Sequence, residues 1–462
     1  MQPEEIVTPP PEILAHYESG PFFKIPVEIK SMIFGHCIES PEPDSKSAPL
    51  LLGQVCRHWR EVTLSSPELW SSFIKTIVVD HTLNVAPSRY NSLLELLKIW
   101  LARSATRPLN FALLYKGIRI RPLPPPIHQL LLQHAHRWEH VILCLPYSDL
   151  VELFGKCTGS LPLLRTLAIS LPHYERAQDI DPAEEPLSFE VLRHSSLLQT
   201  IEMSLNRAWP SLSSVPWTQL TSFNGHHLRV RNAYDVLRSC PALQECRLKI
   251  TIKPDDPFTS LHLPELRVLH IAADWSSGAF AFLAQLTLPR LQRLQCPCLD
   301  SDSVRHVVAF LSQSLCPLTH FSTISEGPPG RSLQGEEIFI NLFTALPHLV
   351  EMGLDVGWQG SPNPVASLLR SENHYLPRLT RLELRAREAI DHELLVGMLE
   401  YRTGANKQGA AVLGRFAWSY QEIDSGYPTA RLSPALAERI KALLRRGIEM
   451  DFDDSAFDIV FC

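Results

Sequence analysis

"LPELRVLHI", residues 263–271, decides how most of this chain folds. Its alternation sends Leu266 and Leu269 to one side, and Ile271 joins them two residues on, the period of a β-strand. Pro264 lacks an N–H and marks the start of the strand. Close copies are "LPLLRTLAI" (161–169), "CPALQECRLKI" (240–250), "LPRLQRLQC" (288–296), "LPHLVEMGL" (346–354) and "LPRLTRLEL" (376–384). Weaker ones are "SSLLQTIEM" (195–203), "WTQLTSFNG" (217–225), "CPLTHFSTI" (316–324) and "HRWEHVILCL" (136–145).

Aligned on the leucine after the proline, the copies give anchors at Leu164, Leu198, Leu220, Leu243, Leu266, Leu291, Leu318, Leu349 and Leu379, spaced by 22 to 34 residues. That is the period of a leucine-rich repeat with uneven loops. One unit cannot bury its own apolar edge, so the units must stack. Helical segments such as "NAYDVLRSC" (232–240) and "EEIFINLFTAL" (336–346) supply the return path between parallel strands. The expected fold class is α/β, with an irregular leucine-rich-repeat solenoid over 136–410. A connecting and N-terminal capping segment over 74–135 precedes it. Residues 411–462 are expected to form a C-terminal cap, with "PALAERIKALLRRGIEM" as an amphipathic helix and "DFDDSAFDIVFC" as an acidic-apolar tail.

The front of the chain has another texture. Residues 1–21 form a proline-broken leader. In "FFKIPVEIKSMIFGHCIESPEP", Pro26 suits a first helical turn, and Ile29, Met32, Ile33 and Cys37 recur on one helical face. After a turn-rich break at 40–49, "LLGQVCRHWREVTLSSPELW" (51–70) places Leu52, Val55, Cys56, Trp59 and Val62 on one side of a helix. "SSPELW" restarts a helix, with Ser66 as N-cap and Pro67 at the first position. Helices this short must bury their stripes against each other and against something else.

These residues resemble the F-box, especially the version found in large fungal F-box families. Ile25-Pro26-Val27-Glu28-Ile29 stands for the opening Leu-Pro-x-Glu-[Ile/Leu], with isoleucine first. Val55-Cys56-Arg57-His58-Trp59-Arg60 gives the later signature in full, and Leu69-Trp70 closes it. The match covers 22–73, and the repeat region is similar to the substrate-binding parts of such proteins. The resemblance implies a small helical F-box that docks on the Skp-type adaptor, and through it a cullin, of a ubiquitin ligase. The repeats would hold an unidentified protein substrate. By motif position, Pro26, Ile29, Ile33, Leu52, Val55, Trp59, Leu69 and Trp70 belong to the docking helices; which of them face the adaptor and which the internal core is open. The alternatives are an interaction scaffold without a ubiquitination role, or an enzyme activity within the repeats.

Other features narrow the field. A formal charge of −6 gives no support for a nucleic-acid partner. No run of 18 apolar residues suggests a membrane span. The ten cysteines follow no framework spacing, and the leader lacks a secretory pattern, so cytoplasm and/or nucleus is the expected setting. No cofactor motif is present. "DHELLVG" begins like a zinc-protease helix but carries Val396 where the second histidine must ligate, and is expected to be a helix start. His134, His136 and His140 flank an expected strand, and Cys296, Cys298 and Cys316 are expected as repeat thiols rather than metal ligands. The chain is thus expected to be non-catalytic. Arg165, Arg247, Arg267, Arg293 and Arg381 fall near the outward strand edge, where repeated arginine suggests an acidic or phosphorylated ligand, or simply a solvated edge.

Overall fold

The structure is a computed structural model. It describes residues 21–38, 46–79, 87–117, 123, 125–172, 187–205, 214–251, 259–273, 276–324, 336–356, 361–371, 373–386, 390–404, 411–420 and 432–453. The leader up to residue 20, most of the 40–49 break and the acidic tail from 454 lie outside the described residues. The chain divides into two compact units that part between Leu198 and Gln199, with 213–215 belonging to the first.

The first unit opens with α1 (Val27–His36), α2 (Leu52–Val55) and α3 (Arg57–Leu64). There follow β1 (Ser72–Val79), α4 (Pro87–Arg103), β2 (Leu109–Gly117), α5 (Pro125–Gln133), β3 (Trp138–Cys144), α6 (Tyr147–Gly155) and β4 (Thr166–Ser170). The four strands pair in sequence order, all parallel. Parallel neighbours need a crossover, and α4, α5 and α6 supply or begin it.

The second unit repeats this plan. It begins with β5 (Thr200–Ser204), β6 (Ser222–Arg229), α7 (Val230–Ser239), β7 (Glu245–Thr251), β8 (Leu261–His262) and β9 (Val268–Ala273). Next come α8 (Ser276–Leu283), β10 (Leu286–Thr287), β11 (Arg293–Pro297), α9 (Ser301–Ser314), β12 (His320–Ile324) and α10 (Glu336–Thr344). It ends with β13 (Glu351–Asp355), α11 (Asn363–Arg370), β14 (Arg381–Ala386), α12 (His392–Thr403), β15 (Arg415–Tyr420), α13 (Pro434–Arg445) and β16 (Glu449–Asp453). Strands β5, β6, β7, β9 and β11 to β16 form one parallel run in that order, while β8 and β10 pair separately.

The leucine anchors explain the register. Each of the nine is buried and precedes its strand by two residues, as Leu266 precedes Val268 and Leu291 precedes Arg293. The carbonyl of the next residue then accepts a hydrogen bond from the equivalent N–H of the following coil: Gln244 N to Thr221 O at 2.8 Å, Arg267 N to Gln244 O at 2.8 Å, Gln292 N to Arg267 O at 2.8 Å, Thr319 N to Gln292 O at 2.9 Å. Three residues after the anchor comes the inward rung. Leu269, Leu294, Phe321, Met352, Leu382 and Phe416 are paired directly across successive strands and are all buried. Each such burial is worth roughly 1.5–3 kcal/mol, and that ladder is the core of the unit.

Parallel strands begin at Ser72 and continue to Asp453, over residues that the leucine spacing leaves to capping segments. Tryptophan takes the anchor's place in the first coil: Trp70 precedes β1, and Asn110 N bonds Ser71 O at 2.9 Å. At the other end β16 is a further rung, with Met450 opposite Phe416 and Phe452 opposite Trp418. Its exposed Glu449 and Asp451 put charge on the outermost strand, which discourages edge-to-edge pairing.

The last two helices are clamped by charge. Arg439 on α13 forks onto Glu400 of α12 at 2.8 and 2.6 Å and reaches Glu393 at 2.5 Å. The hydrogen-bonded guanidinium holds the Glu400 carboxyl below its ordinary value. A carboxyl depressed in this way contributes stability above its unfolded pKa of about 4.3, and loses that contribution as the pH falls through the lower folded value. The Arg439 and Glu400 side chains are 33% and 38% exposed, so solvent screening keeps the effect small. Glu400→Gln is expected to cost no more than about 1 kcal/mol at pH 7, and nothing once the wild-type carboxyl is protonated. Urea midpoints of both proteins at neutral and acidic pH would check this; a difference that grows on acidification would contradict it.

Candidate functional site

On α1 the charged and apolar faces are turned the opposite way from a simple core helix. Lys30, Ser31 and Phe34 are buried, whereas Val27, Ile29, Met32 and Ile33 are exposed, Met32 to 64%. Three rings hold the inner side: Phe34 lies 4.9 Å from Trp59, and Phe22 5.4 Å from Trp59 and 6.1 Å from Phe34. The buried polar groups are bonded, as burial requires. Lys30 Nζ donates to Phe23 O at 3.0 Å, lies 2.8 Å from His58 Nε2, and sits 5.6 Å from the Phe22 ring centre. Ser31 donates to Glu68. With these groups inside, the stripe of Ile29, Met32 and Ile33 is left facing solvent.

The second half of the segment departs from the expected single stripe. Cys56 is extended (φ −157°, ψ 171°) and splits the helix into α2 and α3. Its Sγ accepts from Trp59 N at 3.4 Å, so the cysteine caps α3 instead of sharing its face. Leu52 and Val62 are buried, Trp59 is half-buried, and Val55 is exposed. Ser66 precedes a 3-10 turn, Pro67–Trp70, but makes no cap; its hydroxyl donates back to Val62 O at 2.7 Å.

The eight motif residues therefore separate. Pro26, Ile29, Ile33 and Val55 are exposed, joined by Met32, Leu51 and Leu64, which the motif does not single out. Leu52, Leu69 and Trp70 are internal, and Trp59 is half-buried between the two groups. Trp70 is fully buried, donates from Nε1 to Thr63 O at 2.8 Å, meets Trp100 edge-on at 4.9 Å and carries the Arg103 guanidinium 4.4 Å over its ring.

A second surface lies on the outward side of the strands in the second unit. A cleft of about 430 Å³ has Ser322, Gly353 and Ala417 among its lining residues, with Arg293, Arg381 and Arg415 around them. Register fixes this arrangement. Arg293, His320, Glu351, Arg381 and Arg415 stand side by side on β11 to β15. Glu351 Oε1 is engaged twice, by Arg381 at 2.7 Å and His320 at 3.3 Å. The five expected arginines do not form one row: Arg165 and Arg267 occupy the turn after the anchor, Arg293 and Arg381 the first strand position, and Arg247 the third. Arg415, on the weak coil the leucine pattern passes over, completes the row.

One cluster could hold a metal by composition: His128 on α5 with Asp149 and Glu152 on α6. The imidazole is buried between the acids, Nε2 3.3 Å from Asp149 Oδ1 and Nδ1 3.4 Å from Glu152 Oε2. Each ring nitrogen thus turns to a different carboxylate, while Asp149 also accepts the Leu123 N–H at 2.9 and 3.1 Å. One ligand atom from each of the three residues lies within 4.8 Å of the others and neither ring nitrogen makes a hydrogen bond, so the spacing suits a metal site as well as an ion-pair contact between α5 and α6. The other sequence candidates disperse. His140 contacts Thr166 and His134 contacts Arg137. Burial pushes the Cys296 thiol up and the Cys316 thiol up to about 11, against the thiolate a metal needs. "DHELLVG" is a helix start, with Asp391 capping the N–H groups of Glu393 and Leu394 at 2.9 and 3.1 Å.

No protein-family model and no curated protein matches the chain. Among solved structures it is similar to an internalin from Listeria monocytogenes, at 13% identity over 90% of this chain and 95% of that one, with a TM-score of 0.29. It is also similar to a leucine-rich-repeat protein of Leptospira interrogans, at 14% identity over 84% and 91%, with a TM-score of 0.30. TM-scores this low carry no argument; the repeat architecture rests on the parallel register and the buried anchors described above. The described residues contain no helix long and apolar enough to cross a membrane.

Proposed function

We propose that this chain is a non-catalytic substrate-recognition subunit of a Skp–cullin–F-box ubiquitin ligase, working in the cytoplasm and/or nucleus. Its N-terminal helices dock on the Skp-type adaptor, and its repeat coils bind a protein substrate. The observation that carries this reading is the outward apolar face of α1: Ile29 and Ile33, two of the F-box motif positions, are exposed beside Met32 while a lysine and a serine are buried behind them. Exposed apolar groups gathered on one element mark an interaction site. The parallel coils support the second half of the reading, because stacked repeats offer an extended binding surface.

The test is binding of the purified full chain to a Skp-type adaptor by calorimetry. Wild type is expected to bind, and Met32→Asp combined with Ile33→Asp to weaken binding by about thirtyfold or more, the loss of one interface hot spot. The doubly substituted protein should keep its urea midpoint, since both positions are exposed. Wild-type protein that fails to bind the adaptor, or a variant that binds as well as wild type, would reject the proposal.

A further inference from the structure

We infer that the cleft on the strand face of the second unit binds an anionic side chain, a carboxylate or a phosphate, presented by an extended peptide. This names the class of cargo within the receptor reading above and rests on that reading for its biological role, though not for its test.

The argument begins with which charges are already matched. Glu351 is satisfied by Arg381 and His320, and Glu383 by Arg385 at 2.6 Å. Among the described residues Arg415 has a carboxylate only at 4.0 Å, that of Glu449. Arg293 has no carboxylate within ion-pair distance among the described residues. The acids along the cleft are therefore neutralised by their neighbours, and the surplus that reaches the open space is cationic.

His270, on the cleft wall, has its pKa pressed below the usual histidine value first by burial and then by the charge of Arg247, with Glu245 opposing and Arg293 adding a smaller push.

Shape supplies the second half. Ser322 and Gly353 are direct neighbours across β12 and β13, and a Cβ at position 353 would meet the Ser322 Cβ at 3.3 Å. Glycine thus keeps open a space that any side chain would begin to fill. Neighbouring strands lie about 4.8 Å apart, which separates Arg293 from Arg381 by roughly 14 Å and from Arg415 by roughly 19 Å. About five residues of extended peptide cover that distance at about 3.4 Å each. Guanidinium groups flank a floor formed by Gln295, Ser322, Gly353, Glu383 and Ala417, where Arg385 pairs the Glu383 carboxylate, and they suit charge-assisted, bidentate bonds to carboxylate or phosphate.

The full-length protein would be titrated against degenerate nine-residue peptide pools with a fixed central phosphoserine, glutamate, serine or lysine, read by fluorescence anisotropy. The phosphoserine or glutamate pool is expected to bind more tightly than the serine and lysine pools. A phosphoserine preference over glutamate identifies a phosphorylated cargo, and parity an acidic one. Arg293→Glu and Arg415→Glu, both at exposed positions, should each weaken anionic-pool binding by about tenfold. Arg445→Glu on α13 should leave it unchanged. Equal affinity for all four pools, or an anionic preference that survives both reversals, would overturn the assignment. Adaptor binding by the same variants is measured in parallel: the cargo inference fails alone if adaptor binding persists, and the receptor reading fails alone if only the peptide preference remains.

Discussion

Trp70→Ala is expected to destabilise the first unit by about 3–5 kcal/mol, the usual cost of deleting a fully buried tryptophan. Three interactions end together. The indole N–H no longer bonds Thr63 O, the edge-on contact with Trp100 is lost, and the Arg103 guanidinium loses the ring beneath it. Trp70 is also the anchor of the first coil, three residues before the buried Phe73 that stacks on Phe111 at 5.2 Å. The damage should thus spread into β1 and β2, read as faster amide exchange there and a lower urea midpoint. Met32→Asp, a few residues away in the same motif, should move that midpoint by less than about 0.5 kcal/mol. The contrast is the point of the experiment. A Trp70→Ala protein with an unchanged midpoint and lost adaptor binding would mean that the tryptophan serves the partner, against its burial here.

That contrast also marks how far the sequence could be read. The anchors were legible because a leucine following a proline leaves a periodic trace, and all nine are buried two residues ahead of a strand. The first and last coils were not, because Trp70 stands where the leucine would and Leu413 has Ala411 in the place of the proline; the coil of Trp138 left only a weak copy. Spacing revealed that Ile29, Met32 and Ile33 share a face. It could not reveal which way the face turns, since that depends on Lys30 and Ser31 finding partners in Phe23, His58 and Glu68, residues brought close only by folding. The break at Cys56 was hidden for a related reason: no proline or glycine marks it, and the cap is a thiol bonded to Trp59 N. The strand-face arginines needed register, not spacing. A shift of one residue moves a side chain across the sheet edge, and only the paired strands reveal that Arg293, Arg381 and Arg415 align while Arg165 and Arg267 do not.

The same dependence on tertiary pairing makes Asp149 the second position of large expected effect. No motif points to it, yet its carboxylate is buried, accepts a backbone donor from another segment and lies beside a buried imidazole. It accepts the Leu123 N–H through both oxygens and stands 3.3 Å from His128 Nε2. Asp149→Ala would leave a buried amide without an acceptor and take away one of the two α6 carboxylates beside the buried imidazole, Glu152 remaining 3.4 Å from Nδ1. An orphaned buried polar group costs about 1–3 kcal/mol, and breaking a buried pair from one side about 3–5 kcal/mol. The expected loss is therefore about 3–5 kcal/mol, measured by urea unfolding of the full chain. Asp149→Asn separates the two contributions: its amide oxygen can still accept from Leu123, so it should retain that part while losing the charge beside His128. The paired replacement His128→Leu with Asp149→Asn should recover stability relative to Asp149→Ala, because the imidazole left without this acid is then gone. If the alanine variant unfolds at the wild-type midpoint, the bridge contributes nothing to the join between α5 and α6. If added zinc raises the wild-type midpoint and leaves that of Asp149→Ala unmoved, the cluster is a metal centre.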